Sequence, residues 1–273
     1  MTIQPFFCSF WLIVLALLPI SSTFADDENL LASIINSEHR SADNRARDSF
    51  RHPLDTLQFF GIKSDMTILE VWPGKGWYSE ILAPYSKHGG GHFIAAGFPL
   101  NDGPQWRQDM QRDYQDYLAT LPTYYDQVKL VELGPPSFWT LGEANSVDAV
   151  LTFRNVHNWL KGGYQQDMFR AFYQVLKPGG VLGVVEHRAA EGTDLDTMKQ
   201  SGYITEQLVI EMAEQAGFVL EQKSDINANP NDTKDYSKGV WTLPPTLRLG
   251  DENKAHYLAI GESDRMTLKF RKK

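Results

Sequence analysis

Seven short β-leaning runs, most of them separated by stretches of helical periodicity, constrain this chain more than any single residue does. The runs are Thr67–Val71, His92–Ala96, Val128–Leu133, Val147–Phe153, Val181–His187, Phe218–Ser224 and Met266–Phe270. Between them, Trp106, Met110, Tyr114, Tyr117 and Leu121 recur at helical spacing. Met168, Phe172 and Val175 repeat the pattern ahead of Pro178-Gly179-Gly180. Leu208, Val209, Met212, Ala213 and Ala216 form another apolar face, with Thr205 as N-cap and Gly217 as stop. Strands joined through helices need right-handed crossovers, which build a mostly parallel sheet with helices on both faces.

The segments flanking this core differ in character. Leu30, Leu31, Ile34 and Ile35 predict a short amphipathic helix, and Leu54, Leu57 and Phe60 a second one ending at Gly61. Residues 225–262 show weak periodicity, many polar residues and Pro244-Pro245. A long stretch of that kind reads as a lid or binding loop, with Trp241 as an aromatic anchor.

From Phe6 to Ile20, 13 of 15 residues are apolar, short of the roughly 20 that a membrane span needs. Thr23 and Ala25 suit signal-peptidase cleavage before Asp26. The expectation is a secretory signal over 1–25, a helical segment over 26–60, and one domain over 61–273. The mature protein is then periplasmic or secreted, with no stable membrane insertion. The only cysteine is Cys8, so a mature chain has neither a disulfide nor a cysteine-ligated zinc. A net charge of −8 argues against a nucleic-acid partner. His88 and His92 are separated by three glycines, which break the helix that would align them, so no metal site is expected there. Oligomeric state is left open.

The first strand runs into Trp72-Pro73-Gly74-Lys75-Gly76 and then a helix. Gly74 and Gly76 let backbone approach a ligand, and Glu70 at the strand end is placed to accept hydrogen bonds. Ser79 stands where a nicotinamide fingerprint needs its third glycine, which argues against a dehydrogenase.

Glu70-Val71-Trp72-Pro73-Gly74-Lys75-Gly76 resembles the first motif of class I S-adenosylmethionine-dependent methyltransferases. The resemblance continues in Val147–Leu151, Leu176–Gly180 and Ala216-Gly217-Phe218. Arg51-His52-Pro53, Pro73–Tyr78, Phe153–Trp159 and Glu186-His187-Arg188 resemble, more narrowly, a bacterial group of predicted methyltransferases with secretion signals. The family implies a Rossmann-like α/β sheet of order 3-2-1-4-5-7-6 with strand seven antiparallel. It implies S-adenosylmethionine as cofactor, with Glu70, Trp72, Gly74, Gly76, Gly97 and Asn155 around it. The chain departs from the pattern at three places. Trp72 replaces a glycine. The acid that usually holds the ribose is missing near Gly97. The acid usually found near the adenine is missing at about Pro135.

Sites in such sheets lie beyond the C-terminal ends of the strands. His157 follows strand four, and Glu186 and His187 end strand five, so these three are the candidate catalytic residues. Two functions are therefore carried forward. One is methyl transfer from S-adenosylmethionine to a small-molecule acceptor. The other is an exported, non-catalytic module that keeps the fold and binds another ligand or a partner.

Overall fold

A computed structural model describes residues 22–273. The apolar run at Phe6–Ile20, on which the signal expectation rests, lies outside them. Among the described residues no helix is long and apolar enough to cross a membrane.

Among the described residues four helices precede the sheet: α1 (Ser22–Ile35), α2 (Ala42–Arg45), α3 (Asp48–Arg51) and α4 (Pro53–Phe60). The Pro at the start of α4 and Gly61 just past its end, at φ 75°, set its limits. Then β1 (Thr67–Val71), α5 (Ser79–Gly89), β2 (His92–Gly97), α6 (Gln105–Thr120), α7 (Pro122–Tyr125) and β3 (Lys129–Glu132) make the first half. The second half is β4 (Val147–Phe153), α8 (Val156–Gly162), α9 (Gln165–Val175), β5 (Leu176–His187), α10 (Leu195–Ser201), α11 (Glu206–Gln215) and β6 (Phe218–Ser224), closed by α12 (Lys254–Ile260) and β7 (Arg265–Lys272).

The strands form one sheet in the order β3-β2-β1-β4-β5-β7-β6. The pairs from β3 to β5 are parallel, and β7 runs antiparallel to both β5 and β6. This is the order and the direction that the family resemblance implies. The period of two along the central strands divides the core. Leu69, Val71, Val150, Leu182 and Val184 face α8, α9 and α11, whereas Ile68, Ala149, Leu151 and Val185 face α1, α4 and α5. Leu31 and Leu57, almost fully buried, tie the N-terminal helices into the second of these layers.

Two elements differ from expectation. β5 starts five residues early, because Leu176 pairs with Val147 and the register then shifts before Ala149 meets Val181. Pro178-Gly179-Gly180 therefore sits inside a bulged strand instead of ending a helix. Residues 225–262 are more ordered than their periodicity suggests. They contain a 3-10 turn at Gly239–Thr242, α12, and the buried Asn227, Asp232, Val240 and Leu243.

Candidate active site

β1 and β4 are neighbours whose crossovers leave in opposite directions, so the crevice beyond their C-terminal ends is the sheet's switch point. Both strands end there on a residue other than glycine in the left-handed region, Trp72 at φ 47° and Arg154 at φ 63°. Such backbone is sterically costly, and residues held in it cluster at functional sites. Gly74 at φ 62° follows, and a Cβ built on it would meet nothing within 4 Å. The turn thus presents open backbone to the crevice.

A cavity of about 280 Å³ occupies the crevice, with Arg47, Arg51, Glu70, Gly74, Arg154 and Asn155 in its wall. Glu70 is 3% exposed. Burial pushes its carboxyl up to about 8, against the opposing pull of the Ser79 hydrogen bond and of Arg51. Ser79 Oγ donates to Glu70 Oε2 at 2.7 Å and lies 2.8 Å from the Tyr114 hydroxyl. Asn155 is committed to the scaffold: its Nδ2 donates to Val71 O at 2.9 Å and so pins the end of β1 to the loop after β4.

The opposite wall is cationic. Glu262 accepts from Arg47 Nε at 2.7 Å, Arg51 Nε at 3.1 Å and Arg265 Nη1 at 3.1 Å. Burial alone would raise its carboxyl, but Arg51, Arg265, Arg154 and Arg47 outweigh it and hold the group at about 2. One carboxylate does not satisfy this many guanidinia. Among the described residues Nη2 of Arg47 and Nη2 of Arg51 are buried without a hydrogen-bond partner, a costly state that an anionic ligand would relieve. Burial, then Arg154, bring Arg51 down to about 9.

Arg154 and Pro245 also wall a second cavity of about 160 Å³, shared with His157, His187 and Trp241. His157 Nδ1 lies 3.0 Å from Glu186 Oε1, and that oxygen also accepts from His187 N at 2.7 Å. Glu186 Oε2 accepts from His157 N at 3.2 Å. With the carboxylate accepting throughout, Nδ1 carries the proton, and Nε2 of His157 is the atom left for chemistry. His187 Nδ1 lies 2.6 Å from Ser263 Oγ. Burial, then His157, Arg154, Arg265 and Arg51, hold the His187 imidazole well below its usual value and so neutral.

His157, Glu186 and His187 also offer ligand atoms within 4.8 Å of one another, the spacing of a metal cluster. The guanidinia of Arg154, Arg265 and Arg51 bear on His187, and a fixed positive field opposes a cation there. His157, whose Nδ1 faces the Glu186 carboxylate, is the member of the trio placed for proton transfer.

The sequence candidates thus separate into groups. Glu70, Trp72, Gly74 and Asn155 line the first cavity, and His157 and His187 the second, with Glu186 behind them. Gly76 and Gly97 line neither. A Cβ on Gly76 would meet Tyr114 and Tyr117 at 3.2 Å, and one on Gly97 would strike Gln111. Both glycines serve close packing of α6. The cluster of Arg47, Arg51, Arg265 and Glu262 is not visible in the sequence. Arg51-His52-Pro53 is its one trace there.

The residues present fit the amino-acid end of S-adenosylmethionine: orphan guanidinium donors for its carboxylate, and buried Glu70 for its amino group. At the nucleoside end the places implied by the resemblance are filled. The Trp72 indole, 5% exposed, donates from Nε1 to Leu133 O at 2.9 Å and packs 4.6 Å from Phe98. Arg107 lies over the same ring at 5.0 Å. Gln111 closes the end of β2 by accepting from Phe98 N at 3.0 Å.

No protein-family model matches the sequence, and comparison with curated proteins returns no match. Solved structures do match. An S-adenosylmethionine-dependent methyltransferase from Aquifex aeolicus is 17% identical, over 74% of this chain and 93% of that one, with TM-score 0.52. The cyclase SpnF is 16% identical, over 92% and 94%, with TM-score 0.57. The glycopeptide N-methyltransferase MtfA is 10% identical, over 85% and 100%, with TM-score 0.51. At these identities the likeness speaks for the fold, and one frame that carries both methyltransferases and a cyclase leaves activity to be argued from the site. Strand order, strand direction and these neighbours agree: the chain has the class I S-adenosylmethionine-dependent methyltransferase fold.

Proposed function

We propose that the protein transfers a methyl group from S-adenosylmethionine to a small-molecule acceptor outside the cytoplasm. The observation that carries this reading is a pair of adjacent cavities that share Arg154 and Pro245 in their walls. One holds the open Gly74 turn, buried Glu70 and the orphan donors of Arg47 and Arg51; the other holds the His157–Glu186 pair.

When bound, the sulfonium supplies an activated methyl group, so the protein's task is alignment and proton handling. Arg47 and Arg51 bind the ligand carboxylate. Glu70 gives up its proton to face the ligand ammonium. Arg154 stands between the two cavities and positions an acceptor against the donor. His157 Nε2 takes the acceptor's proton, and Glu186 steadies the imidazolium that results. Trp241, with ring centroid 5.9 Å from that of His157, and Pro245 wall the second cavity beside it.

A test is transfer of labelled methyl to a panel of small acceptors by the purified protein and its His157→Asn variant. Loss of about 10²–10⁴ in turnover with donor binding unchanged supports His157 as base. Lower stability with full turnover per folded molecule removes it from that role. The second reading, an exported non-catalytic module, is favoured by one observation, the Trp72 side chain filling the expected nucleoside place. It predicts no binding of any adenosyl compound.

A further inference from the structure

If the amino-acid end of the donor lies over Gly74, its nucleoside needs a place within reach, and the ends of β2 and β3 do not offer one. Trp72, Gln111 and Arg107 close that space with two hydrogen bonds and a guanidinium over the indole. The first two cavities, at about 280 and 160 Å³, are also small beside the roughly 300–1,000 Å³ of ordinary ligand sites. A third cavity of about 630 Å³ lies on the other side of the turn, and Asn44, Gly74 and Lys75 belong to both it and the first.

We propose that the adenosyl group binds in this third cavity, between α6, the α2 region and the Gly74–Lys75 turn, one aromatic layer outward from Trp72. The inference rests on the methyl-donor reading above. Trp106 lines the cavity and is 54% exposed, an unusual state for an indole in the first turn of a helix. Its ring centroid stands 5.8 Å from that of Phe98, which itself lies against Trp72. Phe98 meets Trp106 edge-on and Arg107 lies 5.2 Å over the Trp106 ring, so an adenine stacks on the exposed part of the indole, beyond Arg107. Asp109 and Asp113 lie one turn apart on α6 and line the same cavity. Asp109 is engaged by Gln105 and Arg112, while Asp113 makes no side-chain hydrogen bond among the described residues. A free carboxylate beside a stacking ring is what recognition of a ribose diol and its base requires. The acid missing from the end of β2 is, on this reading, supplied two turns into the following helix.

The probe is S-adenosylhomocysteine, titrated calorimetrically into the full mature chain, together with a photoreactive azidoadenosyl analogue whose adducts are mapped by peptide mass spectrometry. Trp106→Ala and Asp113→Asn change exposed side chains outside the core, so folding is retained. Trp106→Ala is expected to weaken binding by about tenfold or more, and Trp106→Phe to restore most of it. Asp113→Asn is expected to weaken binding by several-fold, and the label to fall within residues 105–117. Unchanged affinity in Trp106→Ala, or label in residues 97–99 or 133–139, overturns the inference while the methyl-donor reading stands, since Trp72 must then swing aside. Absence of binding by the unmutated protein overturns both.

Discussion

Replacing Glu70 with glutamine isolates a single proton at the centre of the site. The Glu70 carboxyl is 3% exposed, and burial raises it to about 8. In the unfolded chain a glutamate titrates near pH ~4.3. The native state therefore keeps a proton that the unfolded state loses between these values. Because the native state binds more protons across that window, stability falls as pH rises through it, by up to about 1.4 kcal/mol per pH unit. Between pH 5 and pH 8 the loss is about 3–4 kcal/mol. Glutamine keeps the acceptor for Ser79 Oγ and the shape, but it does not titrate. Urea unfolding of both proteins at pH 5 and pH 8 reads the difference, with all other ionisations cancelling. The wild type should lose about 3–4 kcal/mol more than Glu70→Gln over that range. Parallel pH dependences would refute the reasoning. Glu70 would then be ionised in the native state and held so by Arg51, and the first cavity would have no neutral acid to offer a ligand ammonium.

Other expectations follow from the same geometry. Glu262→Gln leaves Arg47, Arg51 and Arg265 without their shared carboxylate and should cost about 3–5 kcal/mol at pH 7, read by urea unfolding. Since Glu262 is held at about 2, its contribution is present above the unfolded value near pH ~4.3 and lost as pH falls through about 2, so acid unfolding of the wild type should lie below that of the variant. Intact-mass measurement of the native protein should place the mature N-terminus at Asp26, and an unprocessed Met1 would contradict export.

The sheet was legible in the sequence because period-two runs, helical periodicity and the Thr205 and Gly217 boundaries all agreed. Thr205 Oγ1 does accept from Leu208 N at 3.3 Å. β5 was cut short because Pro178-Gly179-Gly180 is the ordinary signature of a turn, and only its pairing with Val147 shows it to be a bulged strand. His157, Glu186 and His187 could be placed together, since neighbouring strands bring their C-terminal ends to one point. The arginine cluster could not. Arg51 and Glu262 are 211 positions apart, joined only when β7 returns antiparallel beside β5. Trp72 was visible as a departure from a glycine pattern, but its consequence depends on Phe98 and Leu133 closing around the indole. No local rule encodes that.

The most direct test is a calorimetric titration of S-adenosylhomocysteine into the mature protein at pH 7, run in two buffers of different ionisation heat. A ligand ammonium beside Glu70 must displace the proton that burial keeps there. The predicted result is one site of sub-millimolar affinity, with close to one proton released on binding and none released in Glu70→Gln. No heat of binding at millimolar ligand, in either buffer, would contradict methyl-donor binding by this fold.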